Sequence, residues 1–225
     1  MTRSPTSERV RELTDGHSTD RDVVDERQRG DHVTEPITPE EREVVARQLG
    51  RPPRALRAVA HRCPCGQPDV VQTSPRLEDG TPFPTLYYLT CPRAGAAASR
   101  LESTGRMREW QADLGTDPEL AAGYRAAHEA YLAERDALGE LPTRTTAGGM
   151  PDRVKCLHAL AAHALAAGPG VNPVGDRAVA EMGQWWANGP CVRTPEDDGR
   201  ASTAGSASDR GAERGRSRAG DEERA

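Results

Sequence analysis

The sequence predicts an α+β domain: a small antiparallel three-stranded sheet over about residues 55–90, followed by four or five helices. Three observations lead there. Runs of β-branched and alternating residues, separated by short turn signals, cluster between Ala55 and Thr90. From Gly95 onward the apolar spacing becomes helical. The two ends of the chain carry almost nothing that could enter a core: all eight aromatic residues fall between Phe83 and Trp186.

Residues 1–37 are mostly charged and polar, and residues 193–225 contain no aliphatic side chain larger than alanine. Such segments cannot bury enough apolar surface to offset their ordering entropy, so both are expected to be disordered tails. That leaves a single domain at 38–192, a size that buries roughly two thirds of its unfolded-chain surface.

The elements follow in order. "TPEEREVVARQLG" has an N-cap threonine, Thr38, a proline at the first helical position and Glu41 to complete a capping box; Gly50 stops it. "ALRAVAHR" and "DVVQT" read as strands joined by the turn "CPCGQP", and "TLYYLT" is the clearest strand. Between them "PRLEDGTPFPT" reads as a stiff loop that plugs the sheet. "GAAASRLESTG" and "RMREWQADLG" are short helices closed by glycine. "DPELAAGYRAAHEAYLAERDALG" is the strongest helix, capped by Asp117, with an apolar stripe of Leu120, Tyr124, Ala127, Tyr131 and Leu138. "PDRVKCLHALAAHALAAG" reads as a helix from Pro151 to Gly168, and "DRAVAEMGQWWA" as a last one carrying Trp185 and Trp186.

Charge and hydropathy exclude some functions. The net charge is −5, and residues 38–192 hold 17 basic against 18 acidic groups without a basic stripe, so nucleic acid is not an expected partner. No run approaches the ~18 apolar residues of a membrane span, and the N-terminus lacks a signal-peptide core. The expected location is cytoplasmic, where five cysteines are thiols or metal ligands rather than disulfides.

Chemistry-bearing residues come from several elements. Cys63 and Cys65 sit in the first turn, Cys91 follows the third strand, and Cys156, His158 and His163 lie in one helical segment. Zinc takes four N or S ligands in a tetrahedron, and a meander places Cys63 and Cys91 at the same end of its sheet. The candidate metal set is therefore Cys63, Cys91, Cys156, His158 and His163, with zinc as the cofactor it would suit. One straight helix cannot present all three of its members to one ion. Cys156 and His163 are ~10 Å apart along the axis, and His158 points about 200° away from Cys156 on the helical wheel. Either the helix begins later than Pro151, freeing Cys156, or only one or two of the three are ligands. A nucleophilic cysteine would likewise need its histidine from another element. His61 and His128 read as structural.

Lys155 is the only lysine among 29 arginines. A compact ammonium on a flexible stem behaves differently from a guanidinium fork. With Arg153, Asn172 and the glycine-rich "AGGMP" and "GPGVNPVGD" loops at helix starts, it forms a candidate site for a phosphate-type anion. The bland reading, a solvated lysine beside loop glycines, stands next to it.

The blocks "RCPCGQPDVVQTSPRLEDGTPFPTLYYLTCP", "SRLESTGRM", "YRAAHEAYLAERDAL" and "AGGMPDRVKCLHALAAHALAAGPGVNPVGD" together resemble the actinobacterial domain-of-unknown-function family numbered 501. The resemblance runs from about Val44 to Cys191 and carries over Cys63, Cys91, Arg153, Lys155, Cys156, His158, His163, Asn172 and Pro173, along with Pro75, Arg76, Leu77 and Phe83 of the plug. It implies a gene neighbourhood of septum formation and polyphosphate hydrolysis, and no reaction. Two functions remain open at this point. One is a Cys/His site that binds a zinc-like metal or a small anion and acts on a phosphorylated molecule. The other is a non-catalytic module that contacts protein partners in cell division or the envelope.

Overall fold

In a computed structural model, residues 34–193 are described; the expected tails fall almost wholly outside them. Chain order is β1 (Glu35–Pro36), α1 (Pro39–Leu49), β2 (Leu56–Arg62), β3 (Pro68–Thr73), β4 (Tyr87–Leu89), α2 (Pro92–Ser103), α3 (Arg106–Thr116), α4 (Pro118–Leu138), α5 (Leu157–Ala167) and α6 (Pro173–Met182). The four strands pair antiparallel in sequence order, with Val71 opposite both Val59 and Tyr88.

The class is α+β as expected, but the sheet has four strands rather than three, and the described residues hold six helices rather than four or five. The extra strand lies inside the segment assigned to the N-terminal tail. Two residues are too few to show an alternating pattern, so nothing local marks them. They are held by Arg62, whose guanidinium bonds the Glu35 carboxylate at 2.9 and 2.5 Å and reaches Glu41 on α1 at 2.6 Å.

Capping chemistry explains the helix starts that were legible. Thr38 and Glu41 form the reciprocal capping box of α1, and Asp117 accepts from the Glu119 and Leu120 amides to start α4. α2 begins at Pro92, three residues earlier than its sequence pattern indicated, and Trp185 and Trp186 lie beyond the end of α6. Leu120, Tyr124, Ala127 and Tyr131 of α4 are buried, as their stripe requires. Further along α4 the fully buried Arg135 donates to the carbonyls of Thr143 and Thr145 at 2.7 and 2.8 Å, fastening the loop that returns toward α5.

α5 is apolar almost all round, and eight of its eleven residues are buried. It packs against β4, α2 and α6 and forms the centre of the core. Its alanines allow close neighbours: a Cβ added to Gly175 of α6 would stand 2.3 Å from the Leu160 carbonyl oxygen. Burying Leu157 and Leu160, both fully covered, contributes roughly 1.5–3 kcal/mol each.

Candidate functional site

α5 starts six residues after Pro151, and the reason is the loop before it. Gly148 and Gly149 have φ of 71° and 96°, which an L side chain rarely adopts, and a Cβ on Gly148 would stand 2.4 Å from Leu160 Cδ2. The chain folds back there, with Arg153 N–H donating to the Gly149 carbonyl at 2.9 Å and Lys155 N–H to that of Gly148 at 2.7 Å. The glycines are thus required by backbone geometry and close packing.

This late start changes where Cys156 points. It is the N-cap of α5, in extended conformation (φ −148°, ψ 108°), so its side chain is off the helical wheel. Its sulfur, a ring nitrogen of His158 and a carboxylate oxygen of Glu102 all lie within 4.8 Å of one another. The expectation that a cysteine–histidine pair needs two separate elements is thereby corrected. The first residue is outside the helix, and the 200° divergence does not apply.

Glu102 arrives from α2, where Gly95, Ser99 and Glu102 recur at helical spacing on the stripe facing His158. Its Oε1 accepts the Leu157 N–H at 2.7 Å, satisfying a free amide of α5's first turn, and contacts His158 Nδ1 at 3.1 Å. Ser99 Oγ contacts His158 Nε2 at 3.2 Å. The carboxylate therefore holds both the helix end and the imidazole.

The electrostatics follow from the contacts. The neighbouring His158 holds the Cys156 thiol below its ordinary pKa, helped by the Ala159 amide, while burial and Glu102 oppose the shift. No cap hydrogen bond closes between that amide and the sulfur, so its help is that of a nearby dipole at a helix N-terminus. His158 is raised to about 9, first by Cys156 and then by Glu102. At neutral pH the imidazole is protonated. Cys156 and His158 form part of the wall of a cavity of about 460 Å³ lined otherwise by Thr85, Tyr87, Tyr88, Leu89, Ala147, Gly148 and Ala159.

The other expected ligands lie elsewhere. His163 is fully buried, stacked on Tyr87 with centroids 6.0 Å apart and edge-on to Tyr131 at 5.2 Å. Asn172 caps α6 by accepting the Gly175 N–H through Oδ1, so its amide nitrogen must face His163 Nδ1, 3.2 Å away. Nδ1 therefore accepts, and the ring proton sits on Nε2, which has no hydrogen-bond partner among the described residues. Burial holds this histidine down to about 4, so it is neutral.

Cys63 is buried in the β2–β3 turn beside Cys65, its thiol pushed up to about 12 mainly by burial. Cys91 is buried at the start of α2, its thiol held above its ordinary range by the Cys191 side chain and by burial. Among the described residues, the one group of three close potential ligands is Glu102, Cys156 and His158. It brings together two of the five expected metal ligands, and Cys63, Cys91 and His163 stand outside it.

The anion candidates are not gathered either. Arg153 and Lys155 are exposed, while Asn172 is fully buried, with its amide spent on Gly175, His163 and the Met150 sulfur. The residue that sequence reasoning missed is Glu102. It lies 54 positions before Cys156, and only the crossing of α2 over α5 relates them.

This α+β fold with a thiol–imidazole–carboxylate site carries the sequence profile of the DUF501 proteins, described as being of unknown function, over residues 59–180. The chain belongs to that family. No curated protein and no solved structure matches it. Among the described residues no helix is long and apolar enough to cross a membrane.

Proposed function

We propose that the protein is an enzyme whose nucleophile is the Cys156 thiolate, with His158 as its acid–base partner and Glu102 holding the imidazole. The single observation that carries this reading is the meeting of those three groups at the mouth of α5, with Cys156 and His158 on the wall of a cavity large enough for a small substrate. The cavity lining is largely apolar and aromatic and contains no arginine or lysine. That favours an acyl group, such as an activated ester or thioester, over a phosphorylated one. The sulfur attacks the acyl carbon, the leaving group departs with a proton from His158, and a water molecule assisted by the neutral imidazole releases the acid. The arginine- and alanine-rich composition suits an actinobacterial source.

The test is alkylation with iodoacetamide across pH, read by peptide mapping, together with a burst assay on p-nitrophenyl acetate. Cys156 should react at a lower pH than Cys65, acquire an acetyl group, and lose both properties in Cys156→Ser. A His158→Gln variant should move the alkylation midpoint up toward that of an ordinary thiol. If Cys156 alkylates no faster than Cys65 at neutral pH and never acetylates, the reading fails.

A second reading uses the same residues. Ligand atoms of Glu102, Cys156 and His158 that converge within 4.8 Å also suit a zinc-like divalent ion, with the cavity side left open. Such an ion would need His158 Nδ1 or Glu102 Oε1 to exchange their present contacts for the metal. Metal content of tag-free protein below about a tenth of an equivalent removes this reading. A full equivalent, with Cys156 alkylated only after chelation, would displace the nucleophile reading.

A further inference from the structure

β3 is buried along all six of its residues, so both faces of the sheet are covered there. Successive side chains of a strand point to opposite faces. Val70 and Tyr87 enter the core around α5, whereas Val71 and its partner Tyr88 turn to the other face. On that face the end of α1, the "RPPR" loop after it and the plug loop enclose a second cavity, of about 400 Å³. We propose that this cavity binds a single-chain amphiphilic anion, its alkyl chain lying on the sheet and its carboxylate held by Arg51 and Arg54.

The lining is of two kinds. Leu56, Val71, Phe83 and Tyr88 supply an apolar wall, and Tyr88 is the one exposed large hydrophobic side chain among the described residues. An alkyl chain that enters covers this aromatic surface and is itself removed from water. Arg51 and Arg54 are the only charged residues of the wall, and both are solvent-exposed.

Both guanidinium groups have donors to spare. The one side-chain hydrogen bond of Arg51 is a 3.4 Å contact with the adjacent Pro52 carbonyl. Arg54 lines a neighbouring depression with Glu78 and Asp79, yet it closes no ion pair among the described residues. Two such forks match a carboxylate and repel an amine. The last carbonyls of α1 are already taken, since the Gly50 and Arg51 N–H groups donate to Arg47 and Ala46 at 3.3 and 3.1 Å. Concavity selects a small molecule over a membrane surface, which needs an apolar face turned outward.

The site adjoins the chemistry. Thr85 and Tyr88 line both this cavity and the one that holds Cys156 and His158. An acyl chain released as its acid at Cys156 belongs to the class of ligand retained here. That connection rests on the nucleophile reading; the binding site itself does not.

The experiment titrates full-length wild type with octanoate by calorimetry, beside octylammonium and 1-octanol, which carry the same chain. Octanoate should bind with one site per chain and raise the melting temperature. Octylammonium should not bind, and 1-octanol should bind at least about tenfold more weakly. Replacing both arginines (Arg51→Ala with Arg54→Ala) should weaken octanoate by at least about tenfold. Both side chains are exposed, so this variant folds. Phe83→Ala should weaken octanoate and 1-octanol alike. No octanoate binding, undiminished binding in the double variant, or equal affinity for octylammonium overturns the proposal. So does octanoate that shields Cys156 from iodoacetamide equally in wild type and double variant, which places it in the catalytic cavity. Binding to phosphatidylglycerol vesicles without binding to octanoate assigns the face to a membrane and overturns it too. Cys156→Ser should bind octanoate as wild type does, whether or not wild type shows an acetyl burst, so the two readings fail separately.

Discussion

His158 and His163 stand five positions apart on one helix, yet one is held positive at neutral pH and the other neutral. The first sits at the helix mouth between a carboxylate and a thiol, with part of its ring in solvent. The second sits in mid-helix between two tyrosine rings, its ring bonded to the Asn172 amide, which forces Nδ1 to accept. Opposite charges nearby outweigh partial burial at His158; at His163 burial has nothing to oppose it. Residue type on α5 thus says little about role, and the neighbours decide which histidine can move a proton.

The comparison breaks most readily at His163. His163→Ala should destabilise the fold by about 3 kcal/mol, through a cavity and an orphaned Asn172 amide, whereas His158→Ala should cost less, about 1–2 kcal/mol, because solvent screens its partly exposed contacts. Urea unfolding at pH 7 measures both, and equal losses would mean that the two environments do not differ as described.

Proton linkage sharpens it. The folded-state pKa of His163 is depressed from the ordinary 6.5 to about 4, so the unfolded chain binds its proton more readily. Stability from this residue is intact above pH 6.5 and declines by up to about 3 kcal/mol as pH falls toward 4. His158 runs the other way: raised to about 9, its contribution is complete below pH 6.5 and fades as pH rises through 9. Unfolding free energies against pH for wild type, His163→Gln and His158→Gln should show these two windows removed separately.

Smaller effects test the groups around the helix mouth. Glu102→Gln should cost about 1 kcal/mol as a weakened cap and lower the His158 pKa, read by proton NMR of the ring. Lys155→Arg should change stability by no more than about 0.5 kcal/mol, since the side chain is exposed. A larger loss would reveal a role for the lone lysine beyond its backbone contact with Gly148.

Much of the frame was legible because caps and periodicity are local. Thr38, Asp117 and the α4 stripe announce themselves within a few residues, and the β2–β3–β4 meander follows from adjacent runs and turns. The site was legible only in part. Cys156 and His158 stand out by type, but their meeting depends on a helix that ignores Pro151 because Gly148 and Gly149 turn the chain back first. The short strand at Glu35 escaped notice for a related reason: its partner Arg62 lies 27 residues away.

By itself, then, the amino-acid order determined the α+β class, most of the elements and the thiol and imidazole side chains available for chemistry. Those properties rest on interactions spanning a few residues, whose patterns repeat along the chain. Only the tertiary structure decided that Glu102 would join Cys156 and His158, and that His163 would be sealed in the core. Each of these depends on helices and strands crossing at a particular place, and side-chain chemistry carries no record of that crossing until the core has packed.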